Sequence, residues 1–205
     1  MQNYINLKKT LVKSIYVSIK NNPAVKFILL FLCLFLLFDV GNKFMNSAAF
    51  EGTKYYTPVL AEHFNYIQGM RSALIVTSAT ILKLMGYTIM YTDYQILALN
   101  GIPCNIHYDC LGFGVMSFWA AFVIAFPKPF KQKIRFMFLG LITIFLLNIV
   151  RIVSLTLLTI DMNGSRKFFD YQHDIFNYVV YAMLLTMIYF WINKQEQKPV
   201  LIPEI

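Results

Sequence analysis

Three side chains in this sequence could carry covalent chemistry if they met: Cys110, Arg151 and His173. A thiol is a nucleophile only as thiolate, a form that a nearby cation favours. A histidine can shuttle protons to a leaving amine. An arginine can hold a developing oxyanion or the thiolate itself. Together the three make a kit for acyl transfer by a cysteine enzyme. Asn148 precedes Arg151 by three residues and shares its helix face. An arginine inside an apolar helix costs roughly 2.5–3.5 kcal/mol on insertion scales, so it should face protein or a wet cavity.

Each residue also has a plainer reading. Arg151 could snorkel to the headgroups, Asn148 could simply bond helices together, and His173 could be an ordinary interfacial histidine. Cys110 could be inert, or could pair with Cys104. An extended chain would hold those two cysteines about 20 Å apart, against the roughly 7 Å a disulfide tolerates; a bend at Asp109 would relax this. Cys33 falls in mid-span and is expected to be inert. His107, Asp109, Cys110 and His173 could be read as metal ligands, but their spacing matches no zinc pattern. No metal and no cofactor is expected. Three cysteines are too few, and too oddly placed, for a disulfide framework.

The elements that must position these residues follow from composition. The chain of 205 residues is short enough for one domain, and it is 58% hydrophobic, 17% aromatic and 14% charged. A soluble domain carries about a quarter charged residues; here too few polar groups remain to wet a globule. The expected fold is an all-α integral membrane protein. A basic N-terminus, 1–23, precedes membrane spans at 24–40, 111–126, 136–160 and 175–192. The first apolar run has no small-residue cleavage site after it and reads as a retained span. The stretch 72–90 is apolar but carries Thr77, Ser78, Thr80 and Lys83, and reads as an interfacial or re-entrant helix of the outer leaflet. Asn100-Gly101 between short apolar runs predicts a small extracytoplasmic β-hairpin over 94–108.

The net charge of +8 could suggest nucleic acid, yet the bases sit in clusters beside apolar runs, as orientation signals do. Lys8, Lys9, Lys13, Lys20 and Lys26 mark the N-terminus. Lys128, Lys131, Lys133 and Arg135 mark one loop, and Lys194 and Lys198 the C-terminus. All three regions are expected to be cytoplasmic. No nucleic-acid partner is expected. Two spans must then separate the N-terminus from the Lys128 loop, and Cys110, Arg151 and His173 fall together on the outer side.

Asp109-Cys110-Leu111-Gly112 at the head of one span, Asn148-Ile-Val-Arg151 in the next, and His173 before the last resemble the exosortase/archaeosortase superfamily of membrane transpeptidases. The similarity covers roughly Ser72 to Ile192 and suits a short bacterial variant. It implies Cys110 as nucleophile, Arg151 as essential cation and His173 as proton carrier, with Asn148, Gly112 and Asp109 in support. It also implies a bacterial inner membrane, and as partners the C-terminal sorting tails of exported proteins, membrane lipid, and an amine or lipid-linked acceptor. The usual motif is Cys-Ser-Gly; Leu111 stands in the serine position, which bears on activity or substrate choice. Two other readings fit the same residues: a non-enzymatic assembly or transport subunit, and a hydrolase that releases proteins without transferring them.

Overall fold

In the computed structural model, residues 22–99, 101–161 and 166–194 are described, with side chains from 22–99, 101–160 and 175–194. The chain divides into two compact units, Met1–Asn163 and Gly164–Ile205.

The first unit opens with α1, Pro23–Ala49, whose start is set by Asn22: its side chain accepts from the Ala24 N–H at 3.0 Å, with Pro23 in the first turn. After the short helix α2, Pro58–His63, comes α3, Tyr66–Leu84. The side chain of Asn65 caps α3 by accepting from the Gln68 N–H at 2.9 Å. The helix stops in a Schellman turn, with Tyr87 N–H bonded to Leu82 C=O and Gly86 N–H to Lys83 C=O. This shifts the helix expected at 72–90: it starts at Tyr66, ends at Leu84, and its last expected residues become a strand.

That strand is β1, Ile89–Tyr91, which pairs antiparallel with β2, Gln95–Ala98; β2 pairs in turn with β3, Cys104–Asn105. The expected hairpin region therefore belongs to a three-stranded sheet. Ile96 faces Cys104 as the last pair before the connection, because Pro103 has no N–H to extend the ladder. The Leu99 N–H bonds instead to Thr88 C=O at 3.0 Å. Asn100 lies outside the described residues, and Gly101 approaches Thr159 of the long helix that follows.

A 3-10 turn, Tyr108–Leu111, leads into α4, Phe113–Ala125, then α5, Phe130–Asp161. Among the described residues, three helices are long and apolar enough to cross a membrane: Pro23–Ala49, Phe130–Ile160 and Ile175–Asn193. The expected span 111–126 forms a 13-residue helix, about 20 Å long against a hydrocarbon core of roughly 30 Å. Gly112, with φ +78°, ends it on one side; on the other, Pro127 forces Phe126 into extended backbone.

Aromatic contacts zip α1 to α4: Phe27 meets Phe122 and Phe126, and Phe31 meets Phe118. α4 meets α5 where Trp119, fully buried, occupies the space a side chain at Gly140 would need, its indole N–H donating to Met137 C=O at 3.3 Å. The core joins α3 (Ile67, Leu74, Ile75, Leu82), the sheet (Ile89, Ile96, Ala98), Ile106 and Leu111, and α5 (Ile149, Ile152). The second unit contributes α6, Arg166–Asn193, which starts well before the expected Ile175.

Candidate active site around the Cys110 turn

Cys110 sits in the 3-10 turn, its N–H bonded to His107 C=O at 3.0 Å. Gly112 follows in the left-handed region, where a side chain is strained. A Cβ there would lie 2.5 Å from Asn148 Nδ2, so shape as well as backbone demands glycine. The amide of Asn148 uses that space to donate to Leu111 C=O at 3.1 Å, in a buried bond. α5 thus grips the end of the turn at the Leu111 carbonyl and Gly112. The Leu111 side chain is fully buried in the core. This position contributes a backbone carbonyl to the turn, and a hydroxyl there would face the core.

One turn further along α5, Arg151 is 5% exposed, as is Asn148. Its Nε and Nη2 atoms are buried. Cys104 reports on its surroundings: its thiol is pushed up to about 11, by burial first and then by the neighbouring Cys110 thiol, against the downward pull of the Thr156 hydroxyl and the Arg151 charge. Cys104, Cys110, Thr156 and Arg151 therefore form one neighbourhood. Both cysteines are free thiols. The extended-chain separation expected for them does not apply, because the 3-10 turn folds the chain back after β3.

Asp109 is exposed in the same turn. No hydrogen bond or ion pair ties it to another described residue, although its charge bears on Tyr108. His173 falls within α6, and its side chain lies outside the described residues. Among the described residues, no three His, Cys, Asp or Glu side chains cluster as metal ligands would. Sequence reasoning weighed Cys104 only as a disulfide partner of Cys110 and overlooked Thr156. Thr156 lies five residues beyond Arg151, and its hydroxyl donates to Ile152 C=O at 2.9 Å. The spacing of Asn148, Arg151, Ile152 and Thr156 along one helix was the available signal.

A family model described as transmembrane exosortase (Exosortase_EpsH) matches residues 14–190. The chain belongs to the exosortase family. It is a multi-pass membrane protein, and membership points to a membrane transpeptidase acting on exported proteins with sorting signals. No curated protein and no solved structure matches this exosortase significantly. The matched residues contain the entire Cys110 turn and the Asn148–Arg151 face of α5.

Proposed function

We propose that this exosortase is a cysteine transpeptidase that cleaves C-terminal sorting tails at the outer leaflet through a thioester on Cys110. The Cys110 sulfur bonds to the carbonyl carbon of the scissile peptide, with Arg151 stabilising the negative charge that develops. The C–N bond breaks, and the departing nitrogen takes a proton carried by His173. An incoming amine then gives a proton back, bonds to the same carbon and expels the sulfur. The His173 role rests on the sequence resemblance.

One observation carries this reading: α5 clamps the Cys110 turn through Asn148 and carries Arg151 one helical turn further on, where its charge reaches Cys104, the neighbour of Cys110. Cys104 is the poorer candidate for nucleophile, since burial keeps its thiol protonated at neutral pH. The orientation follows from the basic clusters, which leave the start of α4 on the outer side.

The test uses the full chain with an exported substrate bearing its tail. Cys110→Ala abolishes processing, and Cys104→Ala retains it. Processing that survives Cys110→Ala at normal protein levels refutes the proposal. Product mass separates transfer from hydrolysis, which leaves a bare carboxylate.

A further inference from the structure

The Cys110 turn has a second flank, formed by α1, which the mechanism above does not use. Asp39 sits sixteen residues into α1, in a helix whose apolarity makes any carboxylate costly and a candidate for function. Its Oδ2 holds the Lys43 ammonium at 2.7 Å. As an isolated ion pair on a helix surface this would contribute little, but three further observations set it apart.

First, Asp39 Oδ1 lies 3.8 Å from the point a side chain at Gly114 would occupy. Gly114 is four residues after the thiol, so no side chain stands between the carboxylate and the first turn of α4. Second, Tyr108, two residues before the thiol, has a buried hydroxyl with no hydrogen-bond partner among the described residues. Its ring stacks on Phe113 at 5.7 Å, and the Asp39 charge reaches it. Third, the Asp39 side chain is 17% exposed while that of its partner Lys43 is 62% exposed. The carboxylate already binds a primary ammonium, and that ammonium hangs on a solvent-facing, exchangeable arm.

The thiol turn thus has a cation on its α5 side and an anion on its α1 side. We infer that Asp39, on the flank of the turn that carries Tyr108, is the subsite for the incoming nucleophile, and that this nucleophile is a primary ammonium. The inference rests on the proposed thioester chemistry. The bound ammonium displaces Lys43 and gives one proton to Asp39. The neutral nitrogen then bonds to the thioester carbon as the C–S bond breaks. The nitrogen's second proton returns to His173 and from there to solvent, and the proton on Asp39 passes to the thiolate, leaving an amide, a free thiol and the carboxylate.

The test compares two soluble acceptors with the full-length protein in phosphatidylglycerol vesicles: ethylamine, cationic at neutral pH, and hydroxylamine, which is uncharged there. Products are read by mass as amide, hydroxamate or free acid. Asp39→Asn lowers the amide-to-hydroxamate ratio about tenfold, the loss expected for one charged hydrogen bond. Because the readout is a ratio, a general loss of folding or turnover cancels from it. Lys43→Met moves the ratio the other way, by removing a competing ammonium. Vesicles with and without an amine-headed phospholipid identify the source: a lipid amide assigns the subsite to a headgroup, and its absence beside amide from ethylamine assigns it to soluble amines. An unchanged ratio in Asp39→Asn overturns the assignment and leaves Cys110 untouched. Acid as the only wild-type product also overturns it, with cleavage still standing. No product at all means the thioester reading itself has failed.

Discussion

The helices on either side of the Cys110 turn treat it in opposite ways. On the α5 side, Asn148 and Arg151 are each 5% exposed, and a Cβ on Gly112 would collide with Asn148. On the α1 side, the Lys43 side chain is 62% exposed, and a Cβ on Gly114 would meet Asp39 only at ordinary contact distance. The closed flank is suited to holding a reactive group in one geometry. The open flank is suited to exchanging what it binds. Preorganisation and access place conflicting demands on packing, and this turn divides them between two helices.

The sharpest way to break that comparison is to remove one cation from each flank. Arg151→Gln is expected to lower the rate of tail cleavage by about 10²–10³, the usual loss for one preorganised charge donor. Lys43→Met should change the same rate by no more than about threefold, as expected of an exposed pair. Equal losses, measured by single-turnover cleavage, would erase the distinction.

The thiol beside the closed flank offers the next test. With its pKa raised to about 11, Cys104 carries less thiolate at any given pH than an ordinary thiol near 8.5. In a Cys33→Ala, Cys110→Ala background, maleimide should label it about two hundredfold more slowly than free cysteine at pH 8. The gap should close as pH rises through about 11. Rapid labelling at pH 8 would mean that β3 does not stay docked.

The two glycines form a matched pair. Gly112→Ala should destabilise the protein by about 3 kcal/mol, combining a left-handed backbone penalty with overpacking against Asn148. Gly114→Ala should be neutral, or stabilising by up to about 1 kcal/mol through helix propensity. Thermal unfolding in detergent reads both. A similar drop for the two would show that the α1 flank is as tight as the α5 flank.

The smallest contrast is between two asparagines. Asn148→Ala leaves the buried Leu111 carbonyl without its donor and should cost about 2 kcal/mol. Asn42→Ala removes a half-buried donation to Ser117 Oγ at 3.0 Å and an exposed bond from the Tyr66 hydroxyl at 2.6 Å, and should cost about 1 kcal/mol. Reversal of that order in unfolding midpoints would place the main anchor of α4 on α1.

Much of this site was legible in the residues. Asn148 and Arg151 had to share a helix face because their separation is close to one turn. Gly112 entered through the family resemblance, as the glycine kept after Cys110. The apolar runs identified α1, α5 and α6, since each run is long and its meaning is local. The ends of elements were less legible. Asn65 extended α3 backward, and the Gly86 turn freed Ile89–Tyr91 to become a strand. Both depend on backbone hydrogen bonds that hydropathy does not register.

Asp39 was not singled out in the sequence, and Cys104 was weighed only as a disulfide partner that an extended chain would hold too far from Cys110. Their roles depend on which helix lies opposite and on the chain turning back between Asn105 and Tyr108. Local sequence determined which side chains each element could present, through the helical and strand periods and the cost of charge in lipid. Only the tertiary structure decided which of them meet, because contacts between α1, β3, α4 and α5 join residues far apart in the chain, and no local periodicity specifies such pairings.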